Sequence, residues 1–122
     1  MSESKEIKQT LLLGWEEVYK KSQLTLWILL ALREGEKSMG DIKIFIKQRA
    51  VDTIDADDKS MYRALRRFDE ADLITFTLSL NTAGPDIKLW TLTPVGKWVL
   101  TNFVERNIKN IFLSPQNKSL FE

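Results

Sequence analysis

One predicted helix, over residues 58–72, carries a cationic face. At about 100° per residue, its apolar side chains gather on one side, and its basic side chains and a tyrosine gather on the other. The basic side and its edges comprise Lys59, Ser60, Tyr62, Arg63, Arg66 and Arg67. Arginine and lysine bind phosphates and hydrogen-bond to guanine edges, so this face has the chemistry of a nucleic-acid contact. A solvated helix face that happens to be basic is the alternative.

A β-hairpin is predicted directly after this helix. Residues 73–80 are rich in β-branched and apolar types, residues 81–86 have the composition of a turn, and residues 87–92 return as a second strand. A hairpin in this position favours the nucleic-acid interpretation, because helices followed by a hairpin form the winged helix-turn-helix order. Lys88 of the returning strand is a further phosphate-contact candidate, although an ordinary surface hairpin explains these residues equally well.

The rest of the pattern supplies the elements that position this unit. Helices are predicted at residues 3–21, 22–34, 38 to about 50, and 93 to about 112. Gly35 ends the second helix, and Thr93 before Pro94 has the residue types of a helix start. The fold class is therefore α+β but mostly α: a winged helix-turn-helix with an extra helix at each end.

The two terminal helices carry more apolar surface than one core contact needs. A twofold dimer would bury this surface, whereas the alternative is that both helices fold back on their own domain. The interface candidates are Leu11, Trp15, Trp98, Val104, Ile108 and Ile111. We expect an N-terminal dimerisation helix (1–21), a winged-helix DNA-binding domain (22–92), a C-terminal dimerisation helix (93–113) and a loose tail (114–122).

Composition argues against most other functions. The 122 residues include no cysteine and no histidine, which removes the usual thiolate nucleophile, zinc ligands and general base, so we predict neither an enzyme nor a cofactor. Asp55, Asp57 and Asp58 lack the spacing of a calcium loop, and we expect helix capping there instead of a metal. A polar N-terminus and an apolar run of only residues 24–32 predict a cytoplasmic protein without a membrane segment. The net charge of +1 is low for a nucleic-acid-binding domain.

The stretch from Lys59 to Ile74 resembles the recognition helix and following strand of PadR-type transcriptional regulators. The matching positions are Ser60, Met61, Tyr62, Leu65, Phe68, Asp69, Glu70, Leu73 and Ile74. The apolar helix before Gly35, the Met39–Ile42 segment and the Leu-Thr-Pro-Val-Gly run ending at Gly96 match as well, so that the resemblance covers residues 24–100. The sequence also departs from the family pattern. Arg63 replaces a proline, Asp72 replaces a glycine, and residues 83–86 replace a basic wing tip. The histidine and tyrosine that the family has near Met39–Ile42 are absent as well.

The resemblance implies a dimeric repressor that places two recognition helices in the major grooves of a pseudo-palindromic operator, about 34–36 Å apart. It also implies that a small-molecule effector is possible, for which Trp15, Trp27 and Trp98 are candidate cavity residues. Packing in a core or interface is the commoner fate of such tryptophans. The alternative function is a winged-helix module for protein contacts that no longer binds DNA, which the near-neutral charge and the unusual wing favour.

Overall fold

The computed structural model of the chain describes residues 2–51, 53–54, 56–80 and 83–122. Its elements are α1 (Ser2–Glu34), α2 (Met39–Arg49), α3 (Asp58–Glu70), β1 (Ile74–Ser79), β2 (Ile87–Leu92), α4 (Pro94–Val104), a π-helical turn (Glu105–Lys109), α5 (Asn110–Phe112) and a 3-10 helix (Lys118–Phe121). The two strands follow α1, α2 and α3 in the chain and form one antiparallel hairpin, which confirms the mostly helical winged-helix fold. No helix in the described ranges combines the length and the apolarity that crossing a membrane requires.

The first two predicted helices are one continuous helix, so the break expected between residues 21 and 22 is wrong. The residues around Ser22 include no helix breaker. The Ser22 hydroxyl donates to the carbonyl oxygen of Tyr19 at 2.8 Å, back along the helix, and does not cap a new start. The expected boundary between the N-terminal dimerisation helix and the winged-helix domain therefore falls inside α1.

The core lies where the C-terminal half of α1 meets α2, α3, the hairpin and α4. Its most deeply buried side chains are Ile28, Ile42, Ile46, Met61, Ile74 and Leu100. The apolar face of α3 packs into this core as predicted, through Met61, Ala64, Leu65 and Phe68. Ala71, the next position along that face, is exposed because α3 ends at Glu70 and Ala71 is its C-cap.

The hairpin is attached to the helical body at its base. Ile74 pairs with Leu92 at one end of the ladder and Ser79 with Ile87 at the other. The backbone of Lys37, between α1 and α2, exchanges hydrogen bonds of 3.0 and 2.8 Å with Trp90. These bonds fix the wing relative to the helices. Of the predicted turn residues 81–86, the first two lie outside the described residues.

Thr93 connects the start of α4 to the end of α3. Its hydroxyl donates to the carbonyl oxygen of Asp72 at 2.6 Å and accepts from the Gly96 N–H at 2.9 Å. This is the N-cap predicted from Thr93 and Pro94. The backbone comes so close here that a Cβ on Gly96 would lie 1.9 Å from the carbonyl oxygen of Leu73. The glycine is therefore required for this contact.

The last residues are folded, so the expectation of a loose tail is wrong. The ring of Phe121 lies 5.3 Å from that of Phe112, measured between centroids. The side-chain amide of Asn117 donates to the carbonyl oxygen of Ile111 at 3.0 Å. The contact between two aromatic rings and the hydrogen bond from Asn117 thus hold residues 113–122 against α5. The polar composition of the segment does not reveal these contacts.

Asp72 adopts the left-handed conformation, with φ at +61°, at the position where the family resemblance places a glycine. A residue with a side chain pays about 1–2 kcal/mol to adopt this conformation. Replacing it by glycine removes that cost, but glycine loses more conformational entropy on folding, so only part of it is regained. We expect Asp72→Gly to raise the free energy of unfolding by about 0.5–1 kcal/mol, measured by urea denaturation. The control is Asp69→Gly, inside α3, which should lower it by about 0.3 kcal/mol, the difference in helix propensity between aspartate and glycine. Destabilisation by both changes would contradict the account.

Candidate nucleic-acid interface

The start of α3 is fixed by a carboxylate cap. Asp57 is the N-cap, and its carboxylate accepts the Ser60 N–H and the Ser60 hydroxyl, each at 2.9 Å. Asp58 pairs with Lys43 of α2 at 2.5 Å. Asp57 therefore has the predicted capping role, while Asp55 lies outside the described residues. Within the described ranges no cluster of three or more acidic side chains has a geometry suited to a metal ion.

The hydrogen bonds from the Ser60 N–H and then from its hydroxyl hold the pKa of Asp57 below the ordinary 3.8. A depressed folded-state pKa means that the charged carboxylate stabilises the fold above the unfolded pKa, and that this stability is lost as the pH falls through the folded value. The cap is thus complete at neutral pH and weakens in acid.

Asp57→Asn tests this cap, because asparagine keeps a cap of similar quality but does not titrate. We expect the stability advantage of the unmodified protein over the variant to shrink as the pH falls from 7 to about 3, below the ordinary aspartate pKa. Urea midpoints at the two pH values measure this advantage. An advantage that is the same at both values would contradict the titrating cap.

The polar face of α3 projects into solvent as predicted. Its exposed side chains are Lys59, Tyr62, Arg63, Arg66 and Arg67. Ser60 is half-buried and its hydroxyl is engaged by Asp57, so its side chain serves the cap. Arg66 forms an ion pair with Glu70 at 3.3 Å, but the two side chains are 84% and 68% exposed. Such a pair is weak and solvent-screened, so the guanidinium can exchange it for a phosphate or a base.

A groove of about 790 Å³ separates α3 from the wing and brings Lys88 together with the helix residues. Tyr62, Arg66 and Lys88 line it, along with the acidic side chains of Asp69 and Asp86. The Lys88 ammonium lies 4.5 Å from the centroid of the Phe76 ring and 5.6 Å from that of Trp90. The wing thus adds one cation to this surface, held over an aromatic pair at its base.

Two further lysines, which the sequence did not single out, lie near the N-terminal end of α3. Lys43 and Lys47 of α2 line a second groove next to Asp57. Their four-residue spacing places both side chains on one face of α2, and this spacing was the available signal. Their position beside α3 depends on the packing of the two helices, which periodicity within one helix does not give.

The apolar residues proposed for dimerisation divide into two groups. Leu11, Trp15, Trp98 and Ile111 are exposed, with Trp15 at 74% and Trp98 at 64%. Val104 and Ile108 are half-buried, and Val104 packs against the core cluster beside Leu100. The stripe through Leu100 and Val104 therefore contacts the chain's own body. The N-terminal half of α1 does not bury its apolar side chains, contrary to the alternative in which it folds back.

Two of the three tryptophans considered for an effector cavity come together. Trp15 and Trp27 line a groove of about 650 Å³ with Tyr19 and Arg49. Trp98 is not among the residues that line it. The groove opens between α1 and the end of α2, and its walls are mainly apolar and aromatic.

No protein-family model and no curated protein matches the chain. Several solved structures do match it. Bacillus subtilis PadR in complex with operator DNA matches with a TM-score of 0.63 and 30% identity, covering 69% of this chain and 48% of that one. The same protein with p-coumaric acid gives a TM-score of 0.55 and 31% identity, covering 69% and 45%. A PadR-like transcription factor from Bacteroides fragilis matches with a TM-score of 0.67 and 22% identity, covering 88% of this chain and 95% of that one. The chain spans about half the length of Bacillus subtilis PadR.

Proposed function

We propose that this chain, which has the PadR-type winged-helix fold, is a sequence-specific double-stranded DNA-binding regulator of transcription. The observation that carries the proposal is the exposed face of α3, on which Tyr62, Arg63 and Arg66 project from the first turns of the helix before the wing. The N-terminal half of a recognition helix enters the major groove in this fold. The match to a PadR structure that contains operator DNA supports the same function.

The side chains divide by the contacts they can make. Arg63 and Arg66 are the base readers, because a guanidinium can donate two hydrogen bonds to one guanine. Lys59, Arg67 and Lys88 are phosphate ligands that set the register of the helix. Ser60 acts through the Asp57 cap, which engages both its N–H and its hydroxyl, so it supports the DNA contact by fixing the start of α3. The regulator is a repressor that acts in the cytoplasm on a pseudo-palindromic operator.

The dimer implied by such an operator would use the exposed apolar side chains of α1 and the C-terminal helices. Trp15→Ala removes the most exposed of the aromatic side chains on these helices. We expect it to weaken self-association by a factor of about 30 or more, because buried interface tryptophans typically contribute 2 kcal/mol or more. Sedimentation velocity over a concentration series measures this. Lys21→Ala, also exposed on α1, is the control. Unchanged self-association in Trp15→Ala would remove α1 from the interface.

A small-molecule effector is a second, finer part of the proposal. The groove with Trp15, Tyr19 and Trp27 has the apolar aromatic walls that suit a planar ligand. The Bacillus subtilis PadR structure with p-coumaric acid supports an effector of this chemistry. Arg49, which lines the same groove, pairs with Glu34 at 3.2 Å and would have to exchange partners to bind an acid.

The alternative is a winged-helix module for protein contacts, which the near-neutral charge and the single lysine of the wing strands favour. We propose no catalytic activity, since the matched structures are transcription regulators. Selection from a random double-stranded DNA library distinguishes the two functions. The DNA function predicts enrichment of an inverted repeat with half-sites about 34–36 Å apart. A library that stays random under selection would contradict it and favour the protein module.

A further inference from the structure

We propose that the outer edge of β1 is a contact surface for a second copy of this chain, on which two wings join by antiparallel pairing of β1 with β1. The contact lies on the wing, apart from the terminal helices to which the proposed dimer is assigned. It goes beyond the proposed function, and it requires no DNA.

One edge of the wing is covered and the other is open. Trp90 of β2 pairs with Phe76 of β1 on one side and with Lys37 on the other, so β1 is the outer strand. Within the described part of the chain, the backbone of residues 75–79 has hydrogen-bond partners only in β2. An open edge presents unpaired N–H and C=O groups that can bond to another strand.

This edge has none of the sequence features that usually prevent strand pairing. Proteins protect open edges with lysine and other charged side chains, with proline, or with bulges. Residues 74–80 read Ile-Thr-Phe-Thr-Leu-Ser-Leu, without a charge, a proline or a glycine, and the ladder to β2 runs from Ile74 to Ser79 without a bulge. Leu78 and Leu80, toward the far end of the wing, are 57% and 86% exposed. A paired strand would remove part of this apolar surface from water.

The occupant that fits this edge is the same strand of a second copy, because the sequence of β1 is complementary to itself about Thr77. An antiparallel pair centred there places Thr77 opposite Thr77, Thr75 opposite Ser79, and Phe76 opposite Leu78. Hydroxyls then meet hydroxyls on one face of the sheet, and an aromatic ring meets a leucine on the other. Both kinds of cross-strand pair stabilise sheets. The pair is twofold symmetric, as in most homo-oligomers.

The attachment of the wing favours this arrangement. The helical body joins β1 at Ile74, which is buried, so antiparallel pairing places the two bodies at opposite ends of the shared sheet. Thr75 and Thr77 are exposed on the face that points away from the body, since Ile74 lies on the other face. Lys37 covers the other edge of the wing, so the pairing ends with two wings and does not grow into a fibre.

Cross-linking through an introduced cysteine tests the register, because the chain has no cysteine of its own. In Thr77→Cys the two thiols would lie directly opposite each other, with Cα atoms about 4.5–5.5 Å apart, which a disulfide can bridge. Thr75→Cys is the matched control, exposed on the same face of the same strand. Its two copies would be about 14 Å apart, too far for a disulfide. Under mild oxidation without DNA, we expect linked chains on a non-reducing gel from Thr77→Cys and not from Thr75→Cys.

Charged variants test the same contact without a covalent bond. Thr77→Lys or Thr77→Asp would place like charges opposite each other, so each variant alone should associate through the wing about fivefold more weakly at low salt. An equimolar mixture of the two should regain association, because lysine then meets aspartate. Thr75→Lys is the control, since its lysine would face Ser79 and not a second lysine. Sedimentation velocity without DNA measures all four samples.

The outcomes separate this contact from the other proposals. Equal cross-linking of Thr77→Cys and Thr75→Cys, or a mixture of the charged variants that associates no better than either alone, would overturn the pairing of β1 with β1. Cross-linking of Thr77→Cys should persist when Trp15→Ala is added, because the wing contact is separate from α1. No sample contains DNA, so failure of the wing contact leaves DNA binding untouched, and failure of DNA binding leaves the wing contact untouched.

Discussion

Replacing Arg63 and Arg66 together by alanine is expected to lower operator affinity by a factor of about 30 or more. Each arginine that reads a base contributes about 1–3 kcal/mol, and 1.4 kcal/mol corresponds to a factor of ten. Both side chains project from α3 into solvent, away from the core residues Met61 and Leu65. The substitutions therefore remove ligand contacts with little effect on packing, and anisotropy titrations against operator and random duplex measure the loss.

The comparison of the two duplexes separates base reading from phosphate binding. Loss of a base reader weakens operator binding more than random-duplex binding, whereas loss of a phosphate ligand weakens both equally. Glu70 is the ion-pair partner of Arg66 and has to release it for DNA, so Glu70→Gln should strengthen binding slightly. The matched control is Lys97→Ala with Lys118→Ala, which removes the same charge from exposed positions of the C-terminal segment. Full operator affinity in the Arg63, Arg66 variant would exclude α3 as the reader.

Gly96→Ala is expected to lower the free energy of unfolding by about 3 kcal/mol. The added methyl would lie 1.9 Å from the carbonyl oxygen of Leu73 and 2.9 Å from its carbon, both backbone atoms that no rotamer change can move. Overpacking of this kind typically costs 1–3 kcal/mol, and occasionally more. A shift of α4 to relieve the clash would also strain the hydrogen bond from the Thr93 hydroxyl to Asp72. In a domain of this size the cost corresponds to a melting temperature lower by about 10 °C.

Gly14→Ala is the matched control, because a Cβ there would meet nothing within 4 Å and Gly14 lies inside α1. It should raise stability by up to about 1 kcal/mol, through the helix propensity of alanine. Circular dichroism melts of the two variants beside the unmodified protein measure both effects. A Gly96→Ala variant as stable as the unmodified protein would show that α4 does not approach Leu73 as closely as described.

Local patterns in the sequence predicted most of the fold, because each is set within a few residues. The apolar face of α3, the returning strand from Ile87 to Leu92 and the Thr93 cap all follow from periodicity or capping chemistry, and the structure has each of them. The resemblance to PadR-type regulators, carried by residues from Lys59 to Ile74, is confirmed by the matched structures.

The sequence-based predictions failed where the same residues are compatible with two different local structures. Serine often caps the start of a helix, but here the Ser22 hydroxyl donates to the carbonyl oxygen of Tyr19 and α1 continues. The tail was expected to be loose, but Phe121 contacts Phe112 across a turn, which no short periodicity encodes. Asp72 was noted as a departure from the family, and its positive φ shows that the backbone still adopts the conformation that favours glycine.

The candidate site was predictable only within α3. Which of its side chains are exposed follows from helical spacing, but the use of the Ser60 hydroxyl by Asp57 depends on the cap that forms. The aromatic pair beneath Lys88 and the lysine groove beside α2 both require the packing of separate elements. The assignments of α3 and Lys88 to DNA, and of the terminal helices to a dimer, stay predictions.

The most direct test of DNA binding is a titration of the purified protein against labelled DNA from upstream of its own gene, at low and moderate salt with competitor DNA. We predict tight binding that survives competitor, weakens linearly in log affinity with log salt, and is about 30-fold weaker or more in the Arg63, Arg66 double variant. Absence of binding at low salt, or binding that competitor abolishes and the double variant retains, would contradict a sequence-specific regulator that reads DNA through α3.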